Sequence, residues 1–421
     1  MAAEPIYVTP RRFDVHHESE EMLEHLHSQG YAVCRALSEE ESDVALNGLW
    51  EHLTLLGTGI DRSQPMTWGD ERWPRGVAGG ILPYHGVGQS KVMWYLRTHP
   101  AVLRAFSAIW GVEQSELLCS FDGMCAFRPW QIDSGWRTQG GWYHVDQNPA
   151  LRPAFDCVQG LVNFGPKTSM ATGGNVLIPR SHLQFSRLAE TYAEAIDKLN
   201  GADFFSLPRE DPMLCGGSAR SEPGPDDGAE GEAAAGGEAG VGEAEERASA
   251  SGEAADEAAD KAADEAADEA AAAQLQPIIC RLERGDLLLW ESRTVHCSAP
   301  GRWPPKKPEE SEMEEVAEAK AQLKKQELLR ATGFVCMVPR SKACDEVLFA
   351  RKIAVLDRRS TTHRPHLFQP TDQYDSFLSI PERILEKYSW APPPDLSEEA
   401  ALLVGFTENE IRERLHKDLM R

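Results

Sequence analysis

No stretch of the 421-residue chain approaches the roughly 18–20 consecutive apolar residues that a membrane-spanning helix needs, so a helical integral membrane protein is excluded. The opening MAAEPIYVTPRRFDVHHESEEM lacks the apolar central segment of a secretory leader. The terminal DLMR is neither a peroxisomal nor a retention address. Cysteine is scarce and unpatterned: nine residues, an odd number, without paired spacing. That argues against a disulfide framework and for a reducing compartment. We expect a cytoplasmic protein, a short organelle presequence being the alternative. Positive charge is also short, with 43 Lys and Arg against 67 Asp and Glu and a net charge of −24, which speaks against nucleic acid as a partner.

The acidity is localised. Glu222 to Glu269 holds 17 acidic and 2 basic residues, which is −15 of the −24. This segment belongs to an insert over about 216–274 that ends in EAADEAADKAADEAADEAAAA. Its alanines favour helix, but the four-residue period stacks like charges at i and i+4. With no apolar face, it reads as a solvated or disordered loop insert; a partner-binding arm is the alternative. A second insert, about 303–327, is WPPKKPEESEMEEVAEAKAQLKKQE, a proline-rich start followed by an expected short exposed helix. Without the inserts about 340 residues remain, one domain's worth, with its core over about 20–215 and 275–390 and a helical tail at 391–421.

SEEMLEHLHSQG reads as a helix stopped by Gly30, YAVCRAL as a strand, and SEEESDVALNGLWEHLTLL as a helix capped by Ser38 with Glu41 three residues on. Beyond Leu117 come short β-rich runs separated by turns: LLCSFDGMCAFRP, DCVQGLVNFGP, GGNVLIP, QPIICRLERGDLLLWES and ATGFVCMVP. Strands at such intervals predict a sandwich or barrel. The expected fold is α+β with a mainly β core, N-terminal flanking helices and a helical C-terminal tail.

Within GGWYHVDQNP, His144 and Asp146 stand two apart. At a strand end such residues point the same way, as half of a site for non-haem iron, which takes two histidines and one carboxylate on one face. The missing imidazole is best supplied by His296, which ends the extended piece after GDLLLW. His182 sits in a turn, His363 and His366 lie among arginines that repel a cation, and His16, His17, His25 and His27 read as solvated.

WYHVDQN, TGGNVLIPRSH and GDLLLWESRTVHCSAP, in that order, resemble the phytanoyl-CoA dioxygenase family of Fe(II)/2-oxoglutarate oxygenases, over roughly residues 20–345 with the inserts set aside. The resemblance implies a double-stranded β-helix (jelly-roll or cupin-like) holding Fe(II) through His144, Asp146 and His296. It further implies 2-oxoglutarate and O2 as cosubstrates, converted to succinate and CO2 as a small-molecule or acyl substrate is hydroxylated, with ascorbate in support. The carboxylate of Asp146 argues for hydroxylation, desaturation or ring formation rather than halogenation. The far carboxylate of 2-oxoglutarate calls for a buried arginine, whose planar fork pairs with it. Arg330, opening the strand RATGFVCMVP, is preferred; Arg302, in the turn APGRWPP, competes; Arg128, before the metal motif, is a further cosubstrate contact or a paired surface residue. Thr172 and Ser181 read as turn residues, and Trp142 and Tyr143 as packing beside the site. Arg358, Arg359, His363, Arg364 and His366 in DRRSTTHRPHLFQP suit an anionic substrate or a surface loop balanced by acids. A non-catalytic binding protein of the same fold is one alternative. A cupin-type metal enzyme without 2-oxoglutarate is another, although the His-x-His of such enzymes is missing near residue 144.

Overall fold

The β-rich runs pair into two large sheets. The computed structural model describes residues 3–215, 275–356, 358–369 and 396–412; the acidic insert at 216–274 lies outside them, as does much of the expected tail. By contacts the chain divides into one unit of residues 1–3 with 208–276 and another of residues 4–207 with 277–421. In the first, the short helix Pro212–Cys215 presents the Leu214 carbonyl to the amide of Ala3, 2.6 Å away. Both sheets belong to the second.

In chain order the strands are β1 (Ile6–Val8), β2 (Arg12–Asp14), β3 (Tyr31–Arg35), β4 (Ile81–Leu82), β5 (Leu117–Cys119), β6 (Met124–Phe127), β7 (His144–Val145), β8 (Val158–Asn163), β9 (Gly173–Leu177), β10 (Phe205–Ser206), β11 (Ile278–Cys280), β12 (Asp286–Glu291), β13 (His296–Pro300) and β14 (Arg330–Pro339). One sheet runs β1-β11-β9-β13-β7-β10 and the other β2-β3-β12-β8-β14-β6-β4, with β5 also on β14. Pairing is antiparallel apart from β1–β11 and β2–β3.

Alternation along the strands then makes three layers, because successive side chains leave a strand on opposite faces. Leu161, Leu288 and Trp290 of the larger sheet pack with Leu177, Ile278 and Cys280 of the smaller one. Their neighbours Leu287, Leu289, Ala331, Val335 and Met337 pack the other way, with Leu49, Met93, Leu96 and Phe106. These belong to the helices α2 (Glu39–Leu55), α3 (Lys91–Arg97) and α4 (Pro100–Trp110); α1 (Ser19–Gln29) adds Met22 and Leu26. Gly30 ends α1 at φ 79°, where any other residue carries a steric penalty. At the start of α2 the Ser38 hydroxyl accepts from the Glu41 amide and the Glu41 carboxylate accepts from the Ser38 amide, a cap worth about 1 kcal/mol.

The second insert departs from expectation. Its helix forms, at Met313–Lys324, but it docks. Val316 and Ala319 are buried against Met170 and Ala171, Gln322 donates to the Lys167 carbonyl at 2.9 Å, and Glu315 pairs with Arg281. Two apolar residues three apart occupy one face of the helix, and that face is the one that docks. Of the tail, the helix Glu398–Val404 buries Ala400, Leu403 and Val404 in the main core.

Candidate metal centre

Strands β7 and β13 are antiparallel neighbours, and their pairing sets His296 opposite His144, with ring centroids 4.2 Å apart. Asp146, two residues beyond His144, points the same way. Its Oδ2 lies 3.5 Å from His144 Nε2 and 3.2 Å from His296 Nε2. The three ligating atoms are within 4.8 Å of one another, and among the described residues no other group of His, Cys, Asp and Glu converges in this way.

Ring orientation is set from behind. His144 Nδ1 lies 3.1 Å from the Trp142 carbonyl and His296 Nδ1 lies 2.9 Å from the Thr294 carbonyl. A carbonyl accepts only, so each Nδ1 carries a proton and each Nε2 faces Asp146, donating to it when the ring is doubly protonated and offering a lone pair when the ring is neutral. The carboxylate is held as well: Gln159 Nε2 donates to Oδ2 at 3.0 Å, and the Asp146 amide donates to the Ser292 carbonyl at 3.2 Å. Burial pushes the Asp146 carboxyl up, but the His144 and His363 rings and the hydrogen bonds from His144 and His296 more than reverse this, leaving it well below the usual range. Burial, with His144 beside it, pushes the His296 imidazole down against the pull of Asp146, which favours the neutral form that binds metal. Two imidazole lone pairs and a carboxylate, all acceptors, face one point; a divalent first-row cation fits that donor set. His144 is stacked between Trp142 and Phe204, each 4.7 Å away.

The three arginines go separate ways. Arg330 is 4% exposed and shares the intersheet face with Phe334, since Ala331 and Val335 take the helix side. Its guanidinium lies 5.2 Å over the Phe127 ring, no carboxylate pairs with it among the described residues, and burial holds its pKa down. On strands of the two sheets, buried Asn163 Oδ1, Asn175 Nδ2, Trp290 Nε1 and Thr332 Oγ1 have no hydrogen-bond partner. Arg128 faces away, over Trp73 and Trp136, donating to the Trp68 carbonyl at 2.7 Å and to Asp70 at 2.6 Å. Arg302 is paired with Glu4 at the surface. The structure therefore brings Arg330 to the intersheet space and engages the other two elsewhere.

Ser181 and Thr172 are turn residues: the Ser181 hydroxyl donates to the Ile178 carbonyl at 2.7 Å and Thr172 closes on Ser169. Two features were not foreseen. Gln159 was signalled by its parity with Leu161, which puts it on the inner face of β8. His363, passed over as a ligand because of the arginines around it, and Arg364, read as serving an anionic substrate or a surface loop, both reach the Asp146 carbonyl, at 3.2 and 3.0 Å.

No family model matches this chain. It is 27% identical over 343 residues to "Ava biosynthesis cluster protein O" of Aspergillus versicolor, covering 81% of this chain and 84% of that protein. Among solved structures it is similar to the hypothetical protein JW0805 of Escherichia coli, at 13% identity and TM-score 0.48, with 95% and 86% of the two chains covered. The non-heme alpha-ketoglutarate-dependent epimerase SnoN from nogalamycin biosynthesis aligns at 15% identity and TM-score 0.38, over 76% and 83% of the chains. EvdO2 of Micromonospora carbonacea var. aurantiaca, complexed with 2-oxoglutarate, aligns at 14% and 0.36, over 75% and 89%. These likenesses are too slight to assign an activity, which rests on the geometry of the centre.

Proposed function

We propose that this chain is an Fe(II)- and 2-oxoglutarate-dependent dioxygenase of the phytanoyl-CoA dioxygenase type, built on a double-stranded β-helix and acting in the cytoplasm on a small organic substrate. The winding supports the fold: β6, β7, β8 and β9 alternate between the two sheets, as do β11 through β14 after one adjacent step, giving the inner orders β6-β14-β8-β12 and β7-β13-β9-β11. The observation that carries the function is the pairing of a His144–Asp146–His296 donor set with Arg330, a guanidinium buried without a carboxylate partner among the described residues. A buried cation is costly until an anion meets it, and the far carboxylate of 2-oxoglutarate is such an anion.

His144, Asp146 and His296 would hold the iron, Gln159 would orient the Asp146 carboxylate, and Arg330 would take the cosubstrate's far end through its fork. Iron bound there, with 2-oxoglutarate and O2, supplies oxidation of a substrate C–H bond coupled to formation of succinate and CO2. Trp142 and Phe204 stack on the His144 ring. Asp146 occupies the place a halide would need, which supports hydroxylation as the outcome. An acyl-CoA or other anionic substrate has less support than a neutral one. Arg364 and His366 of the basic run are engaged with Asp156, so those two side chains are occupied inside the protein.

The test is succinate release by the purified full chain given Fe(II), 2-oxoglutarate and ascorbate, alongside thermal stabilisation by 2-oxoglutarate. Both are expected. Metal binding with neither response points to a cupin-type metal enzyme, and no metal binding at all to a non-catalytic binding protein.

A further inference from the structure

Arg364 lies in a segment that follows the last core strand, and its side chain is fully buried, 0% exposed. Its guanidinium meets three groups. Nη1 donates to Asp156 Oδ2, Nε lies 3.1 Å from Asp203 Oδ2, and Nη2 donates to the Asp146 carbonyl at 3.0 Å. The same carbonyl receives His363 Nε2 at 3.2 Å, so both of its lone pairs are engaged. Each acidic partner is anchored in turn. Asp156 also pairs with Lys342 at 2.8 Å and His366 at 3.3 Å. Asp203 Oδ1 accepts from the Asn148 amide at 3.2 Å and from Arg152, and the next residue, Phe204, stacks on His144.

We infer that Arg364 is the positioning residue of the metal centre: its fork fixes the backbone of Asp146 and, through Asp203, the wall behind His144. This rests on the iron-binding reading above. A planar fork with donors in fixed directions suits the task, because its two Nη groups hold a carboxylate and a carbonyl at once while the Nε edge lies in ion-pair contact with Asp203. A merely structural ion pair would not need the carbonyl of the ligand residue itself. Partners standing one step behind metal ligands typically contribute about 10–100-fold in metal affinity, and that is the size of effect assigned to Arg364.

The probe is Co(II), titrated into the full-length protein and followed by its visible d–d absorption. Arg364→Gln is expected to bind Co(II) about 10–100-fold more weakly with an altered band shape, and added guanidinium ion to restore both. Arg364→Lys, which keeps the charge without the fork, is expected to recover only part of the affinity. Asp203→Asn, which loosens the same fork and leaves Arg364 in place, is expected to fall between wild type and Arg364→Gln; it also serves if Arg364→Gln does not fold. A folded Arg364→Gln protein with wild-type affinity and spectrum overturns the inference. So does a weakened variant whose spectrum guanidinium fails to restore, or an Asp203→Asn protein identical to wild type. Wild-type protein that takes up no Co(II) overturns instead the metal reading on which the inference stands.

Discussion

The two faces of the large sheet are both buried and could hardly differ more. Toward the helices, Leu287, Leu289, Ala331, Val335 and Met337 meet Leu49, Met93 and Phe106 in an apolar layer. Toward the smaller sheet, strands β8 and β14 present Gln159, Asn163, Arg330 and Thr332, with Asn163 Oδ1 and Thr332 Oγ1 left unpartnered. Unpartnered buried polar groups cost stability, and here they sit in the space that also holds Arg330. The difference teaches that one face is given wholly to apolar packing, while the other combines packing with the polar groups that the proposed cosubstrate site uses.

That contrast can be broken by substitution, the largest effect first. His296→Ala should abolish Co(II) binding in an absorption titration while leaving the melting temperature of the metal-free protein close to wild type, because the ring serves the ligand face. Phe106→Ala, on the helix side, should do the opposite: a loss of about 3–5 kcal/mol in urea unfolding with Co(II) affinity unchanged. Equal damage to both properties by either variant would dissolve the distinction. Arg330→Met should weaken 2-oxoglutarate binding by about 2–5 kcal/mol without reducing stability, since an apolar side chain in place of a buried charge is often neutral or stabilising. Isothermal titration and urea unfolding on one preparation measure both; unchanged 2-oxoglutarate affinity would rule out Arg330 as the anchor.

Acid supplies the smallest effect. Burial pushes His52 and His85 down to about 4 from 6.5, so both are neutral in the folded protein at pH 5 while the unfolded chain is protonated. Their contribution to stability is complete above pH 6.5 and is lost as pH falls from there toward 4. The slope is up to about 1.4 kcal/mol per pH unit for each ring. His52→Leu should flatten the slope in urea midpoints between pH 7 and 4.5 with no change in Co(II) binding at pH 7.

Much of this was legible before any coordinates. The Gly30 stop, the Ser38–Glu41 cap, the β-rich runs and the His144-x-Asp146 spacing are local patterns, and local patterns reflect backbone geometry within a few residues. His296 follows from its strand context, and the register of β13 on β7 sets it opposite His144. Two expectations were misjudged because exposure is not a local property. The charged helix Met313–Lys324 docks through Val316 and Ala319. The basic run around Arg364 reads as surface only as long as its partners Asp156 and Asp203, distant in the chain, are unknown.

By itself, the sequence determined the principal strands, the caps and the three side chains that converge as the candidate metal centre, since these follow from propensity, period and chemistry at short range. Tertiary structure decided which arginine faces the intersheet space, that Gln159 steadies Asp146, and that Arg364 grips the carbonyl of a ligand rather than a substrate. Those outcomes depend on strand pairing and on charges meeting across more than a hundred residues, and no short-range rule encodes which partners will meet.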